Sequence, residues 1–128
     1  MLSIFKTIKE MLFDNCKNTK KQGDVGVAHC ISYYSEQGFT VCIPLTDSQN
    51  FDLIVDDGEK MRKIQVMTTK TKKKGVYSIN LKSGVKKDCD TLFILLETGV
   101  EYEIPMSELP ETSNFQLTDD FAKYIVIR

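Results

Sequence analysis

The chain predicts an α/β fold, a mixed central β-sheet flanked by α-helices. Three observations carry that expectation. Residues 24–37 repeat apolar side chains with helical spacing. From residue 39 the pattern changes to short β-branched and apolar runs punctuated by Gly and Pro. One of those runs, 92–96, is continuously apolar, as a strand buried on both faces requires. The length of 128 residues suits one domain, 1–128, with a real core. A hydrophobic content of 41% with 27% charge is that of a folded protein rather than a disordered one.

The elements are expected in the following order. Leu2, Phe5, Ile8 and Leu12 lie at spacings of three and four, which makes 1–14 an amphipathic helix serving as a fold element or an oligomer contact. Residues 15–23 read as a polar loop. In the second helix, Val25, Ala28, Ile31 and Tyr34 form the buried stripe, Asp24 caps the N-terminus and Gly38 stops the C-terminus. Strands follow at 39–43, closed by Pro44, and at 51–55, with Asp57-Gly58 turning into a return strand at 62–69. Further strands are expected at 77–81, 92–96 and 101–104. A short helix near 118–124 and an apolar stretch at 125–127 end the chain. Residues 111–128 are expected to form a C-terminal helix and tail.

Several function classes are excluded at this level. No apolar run approaches the ~18–20 residues needed to span a bilayer, so no membrane partner is expected. The N-terminal MLSIFKTIKEMLF is too interrupted by charge for a signal peptide. The four cysteines, at 16, 30, 42 and 89, include no C-x-x-C pair and accompany a single histidine, His29, which argues against a zinc site. They read as reduced thiols of a cytoplasmic protein (or of a host-cell interior, for a viral or mobile-element product), with buried packing their expected use. His29, in mid-helix, is expected to be a structural histidine rather than a base.

The net charge of −1 hides a partition. Residues 60–87 contain ten Lys or Arg and no acid, whereas the flanking segments are acidic. Lys70, Lys72, Lys73 and Lys74 follow the return strand, and Lys82, Lys86 and Lys87 follow the next one. Such a block suits a phosphate-binding rim, with interleaved threonines contacting phosphate oxygens. A solvated lysine surface is the plainer alternative. Only Arg62 among the ten is an arginine, so the block argues for affinity rather than base readout.

Alternation on the return strand sends Ile64 and Val66 into the core and Lys63, Gln65, Met67 and Thr69 to the other face. Asp52, across the hairpin, comes near Gln65. Two oxygen donors on adjacent strands can hold a hard cation such as Mg²⁺, although an Asp and a Gln on a hairpin are more often only solvated.

The stretch GDVGVAHCISYYSEQGFTVCIPLTDSQNFDLIVDDGEKMRKIQV, with the later DTLFIL and YEIPMSEL segments, resembles the PD-(D/E)xK nuclease superfamily. It is most similar to the branch of group I intron-encoded homing endonucleases. The resemblance implies a restriction-endonuclease-like core over 22–110, a possible Mg²⁺ held by Asp52, Gln65 and the Val66 carbonyl, double-stranded DNA as the partner, and a homodimer or homotetramer. The family aspartate falls on Asp52, and Gln65 falls where this branch uses Gln. Two positions depart: the helix glutamate falls on Val27 and the motif lysine on Met67. Either Lys63, two residues before Gln65, serves as a surrogate lysine, or catalysis has been lost and DNA binding kept, or the sequence has been deliberately inactivated. The expected activity is Mg-dependent phosphodiester hydrolysis by an endonuclease, with catalytic residues Asp52, Gln65 and Lys63. A catalytically inert DNA-binding module on the same fold is the alternative. A structural or regulatory interaction protein is the alternative of another class.

Overall fold

The computed structural model describes residues 11–128. A long helix, α1 (Thr19–Glu36), lies on one face of a five-stranded sheet made of β1 (Thr40–Cys42), β2 (Leu53–Asp56), β3 (Met61–Thr69), β6 (Thr91–Leu96) and β7 (Glu101–Pro105). The spatial order is β1-β2-β3-β6-β7, and β3 with β6 is the parallel pair in an otherwise antiparallel ladder. The connection from β3 to β6 covers the other face. It holds β4 (Lys72–Lys73), β5 (Val76–Asn80) and a single-turn helix α2 (Val85–Asp88). There β4, β5 and β8 (Asn114–Gln116) form a second, three-stranded sheet. This is the mixed α/β fold expected. No described helix is long and apolar enough to cross a membrane.

Both faces of the main sheet are buried, which explains why β6 is apolar throughout. Every residue of TLFILL is buried. Phe93 packs with Leu53, Val55, Ile64 and Val66 under Cys30 and Tyr34 of α1. Leu92, Ile94 and Leu96 pack on the opposite side with Ile79 and Phe115 of the smaller sheet and Leu81 just after β5. The face of β3 that carries Gln65 and Met67 therefore meets a second core rather than open solvent.

Helix α1 begins earlier than the apolar pattern suggested. Asn18 is its N-cap, with its side chain accepting the Lys21 N–H at 2.9 Å. Much of the expected polar loop is thus helical, and Asp24 is an exposed residue inside the helix, not its cap. The buried stripe also differs. It consists of Gln22, Gly26, Cys30 and Tyr34, at spacings of four, while Ala28 is exposed and Val25 and Ile31 are only partly buried. A polar Gln and a Gly lack the hydrophobicity that reveals a buried stripe in a sequence, so the true face was masked. Gln22 is satisfied by donating to Thr68 Oγ1 at 3.0 Å. Tyr34 donates to Glu103 Oε2 at 2.6 Å and Tyr33 to Glu103 Oε1 at 3.0 Å. Gly38, with φ of 83°, ends the helix as expected.

Other boundaries shift by a residue or two, as element ends do. The element near 118–124 is a 3₁₀-helix, Asp119–Tyr124, and β4, α2 and β8 were not anticipated. Most of the helix expected over 1–14 lies outside the described residues, and 12–15 form a turn. Among the described residues the free thiols of Cys30 and Cys89 are buried, Cys16 is partly buried and Cys42 exposed. Buried packing therefore accounts for two of the four.

Gly26 is where α1 comes closest to β3. A methyl group at this position would overlap Thr68 Cγ2 and press on Val66 Cγ1 at 3.2 Å. Thr68 cannot rotate away without giving up the Gln22 bond. Gly26→Ala is expected to destabilise the fold by about 1–3 kcal/mol, the usual cost of overpacking. Adding Thr68→Ser, which removes Cγ2 and keeps the hydroxyl, should recover most of that loss in chemical denaturation.

The tyrosine pair gives a second check. Burial, and then the neighbouring Glu103 carboxylate, push the Tyr33 phenol up to about 12. The same causes raise Tyr34 beyond the ordinary phenol range. The unfolded chain releases these protons near pH ~10, while the folded chain keeps them. Stability is accordingly full below that pH and falls as pH rises through the folded values. Phenolate absorbance should show these two tyrosines ionising late, in step with loss of the folded circular dichroism signal.

Candidate active site

The candidate site forms where β2 stops pairing with β3. The β2–β3 register runs from Asp56↔Met61 to Leu53↔Ile64. One further step sets Asp52 opposite Gln65, and the Asp52 N–H still donates to Ile64 O at 2.8 Å. There the strands part. On β3, the Lys63 and Thr69 carbonyls accept from Asp90 and Glu97 on the β6 side. Alternation therefore turns the Val66 peptide towards the edge that β2 has left. The Asp52 carboxylate fills that gap, with Oδ2 accepting the Val66 N–H at 2.7 Å. A side chain thus takes the place of a ladder carbonyl, and a carboxylate is held at a sheet edge with one oxygen engaged.

Gln65 closes the other side. Its Nε2 lies 3.4 Å from Val66 O and 3.9 Å from Met67 Sδ. Both contacts are long, and a half-turn of the terminal amide presents Oε1 instead. Asp52, Gln65 and the Val66 carbonyl lie around the same edge of β3. Burial pushes the Asp52 carboxyl above the usual carboxylate range, and the Val66 N–H and then the charge of Lys82 pull it part of the way back.

The two departures from the family pattern are filled with apolar contacts. Val27 is partly buried against the α1-side core, and Met67 against the opposite one. Lys63 stands with Nζ 5.4 Å from the centre of the Phe51 ring, a cation–π placement, while its backbone N–H donates to Asp90 Oδ2 at 2.8 Å. The lysine whose charge acts on Asp52 is Lys82, which the sequence placed only in the phosphate-binding rim. The Lys82–Gly84 turn is seated against residue 50: a methyl at Gly84 would meet Asn50 Nδ2 at 3.1 Å. Asn50 also donates to Asp88 Oδ2 at 2.6 Å and accepts the Cys89 thiol at 3.0 Å. No local pattern reveals this contact, because it joins segments more than thirty residues apart.

The remaining rim lysines are exposed, except Lys86, which is partly buried and donates to Thr112 O at 3.1 Å. Lys72 and Lys73 sit in β4, Lys70 just before it, and Lys74-Gly75 make the β4–β5 turn with φ of 54° and 79°. Two successive positive φ values are those of a tight hairpin turn whose twist matches its strands. His29 lies apart from this site, with Nδ1 3.3 Å from Glu101 Oε2, a buried carboxylate that also accepts from Arg128 Nη2 at 2.7 Å. It is half-exposed and structural. Cys89 is pushed up to about 11, by burial and then by Asp52, so its thiol is not poised as a nucleophile.

Residues 17–109 match the family model of the PD-(D/E)XK endonucleases. The chain belongs to the PD-(D/E)XK endonuclease family. Two solved structures share its fold. The fold of this family member is similar to that of a bacterial homing endonuclease, I-Ssp6803I, with 24% identity, a TM-score of 0.70, and coverage of 84% of this chain and 86% of that one. It is also similar to Hjc of Archaeoglobus fulgidus, a Holliday junction resolvase from an archaeal hyperthermophile, with 13% identity, a TM-score of 0.63, and coverage of 82% and 90%. No protein of curated function matches.

The donors present fit a hard divalent cation of the kind PD-(D/E)XK nucleases generally use. One half-buried carboxylate, an amide and a peptide carbonyl are all oxygen donors, and Mg²⁺ commonly takes one or two carboxylates and completes its shell with water. Among the described residues no three His, Cys, Asp or Glu side chains converge.

The Asp52–Val66 bond separates structure from charge. Asp52→Asn keeps an acceptor for the Val66 N–H and should change stability little. Asp52→Ala leaves that amide unpaired at a half-buried edge and should cost about 1–3 kcal/mol. Denaturant unfolding of the two variants checks this ordering.

Proposed function

We propose that this chain acts on double-stranded DNA and hydrolyses phosphodiester bonds with Mg²⁺, as a homodimer or homotetramer. The observation that carries the reading is the convergence of Asp52, Gln65 and the Val66 carbonyl at the open edge of β3. The acid-free segment 60–87 supports it, because part of that segment leads away from the same strand as an exposed lysine-bearing hairpin. The oligomer is proposed because two-strand chemistry is matched by symmetric assemblies.

In this reading Asp52, Gln65 and the Val66 carbonyl hold the metal, which when bound supplies an activated water and offsets phosphate charge. The Val66 N–H fixes one Asp52 oxygen and leaves the other for ligation. Partial burial at the strand junction thins the water around that carboxylate. The Lys70, Lys72, Lys73, Lys74, Lys82, Lys86 and Lys87 amines attract and position the DNA backbone without reading bases. Lys63 and Lys82 compete for the part left by Met67, that of a cation facing the phosphate in its transition state.

A second reading is supported by a specific observation. Val27 and Met67 present hydrocarbon where the family pattern has Glu and Lys, which suits a catalytically inert DNA-binding module.

Nicking of supercoiled plasmid separates the two. The nuclease reading expects nicks in Mg²⁺ or Mn²⁺, none in EDTA, and none from Asp52→Asn. Salt-sensitive duplex binding without any nicking supports the inert module. Affinity in either case should fall with log salt at about −0.9 per neutralised phosphate. Absence of duplex binding at low salt would remove both readings and leave the interaction protein.

A further inference from the structure

A cleft of about 380 Å³ opens beside Met67. Its walls include Met67, Thr69, Thr71, Lys73, Asn80 and Asn114, drawn from β3, the β4–β5 hairpin and β8. Four other clefts in the described part of the chain each include a carboxylate, respectively Glu103, Asp90, Glu111 and Asp24. This one has a lysine, hydroxyls and amides, and no carboxylate lines it. The nearby Glu97 is engaged by the Tyr77 hydroxyl at 2.9 Å.

The cleft is stiff. Thr69 Oγ1 donates to Ser78 O at 3.0 Å and accepts from the Thr71 N–H at 3.2 Å, while the Ser78 N–H donates to Thr71 O at 2.9 Å. Lys73 is held in register with Val76 by the tight Lys74-Gly75 turn. Lys72, its neighbour, is turned onto the Tyr77 ring, with Nζ 4.7 Å from the ring centre. Among the described residues the side chains of Thr71, Lys73, Asn80 and Asn114 make no hydrogen bond within the protein, so their donors are available to a ligand.

We propose that this cleft is a phosphate subsite for the DNA backbone, with Lys73 as its charged anchor. Uncharged donors around a single ammonium, with no competing carboxylate, suit a phosphodiester oxygen. The inference rests on the proposal that the chain binds DNA, and goes beyond it by naming where one backbone phosphate sits.

Fluorescence anisotropy of a labelled duplex in Ca²⁺, across a salt series, tests it. Lys73→Ala should bind about tenfold more weakly and flatten the log–log salt slope by about 0.9, one phosphate contact. Lys73→Arg should restore the slope. Asn80→Asp, which keeps the side-chain shape and adds the missing carboxylate, should weaken binding at least as much as Lys73→Ala. Lys123→Ala, which removes a charge from the cleft containing Glu103, should leave the slope unchanged. Wild-type binding with an unchanged slope in Lys73→Ala, or with Asn80→Asp harmless, overturns the subsite and leaves the DNA-binding reading intact. No binding by the wild type overturns both.

Discussion

The hydrogen bond from the Val66 N–H to the Asp52 carboxylate organises the middle of this molecule. β2 is short, and β3 outlasts it by five residues. An amide at that unpaired edge needs an acceptor, because an unsatisfied one would cost as much as a lost core contact. A carboxylate supplies it and remains half-buried in return. The strand junction therefore fixes the one acid at this site, and the site and the fold share a bond.

Charge and packing divide the labour around that junction. The α1 side is closed by a close-packed seam, in which Gly26 lets the helix backbone approach Thr68 and Gln22 ties the two elements together. The opposite side is covered by the smaller sheet, whose hairpin carries exposed lysines. Val27 and Met67 belong to these two packed layers. At both positions a polar family residue has been replaced by one that adds to a core. The surrounding hydrocarbon accounts for why these side chains are stable where they stand.

Much of the architecture was legible because strand signals are local. Gly58 and Gly38 marked real turns, the 92–96 run marked the doubly buried strand, and alternation along β3 put Gln65 beside Asp52. Helix α1 was misread at its start because its buried stripe opens with Gln22 and Gly26, which carry no hydrophobic signal, and because Asn18 caps as well as Asp24 would have. β4 and β8 were invisible for another reason. A strand of two lysines has no strand-like composition, and Asn114–Gln116 has a single apolar residue, Phe115, between two polar ones, too short a pattern to read. At the site, the local pair of Asp52 and Gln65 was readable. The approach of Lys82, the placement of Lys63 over Phe51 and the cleft beside Met67 depend on contacts between distant segments, which one sequence does not display.

Cys42 has a consequence for handling the protein. It is the exposed thiol of β1, a three-residue strand at the edge of the main sheet, while Cys30 and Cys89 are buried. Its outer edge has no strand beside it in the described chain, and an exposed thiol is open to air oxidation. Oxidation of such thiols between two molecules forms a disulfide and with it a covalent dimer. An oligomer measured without a reductant would include any such disulfide-linked pair, and the same measurement with thiols kept reduced would report the protein's own association.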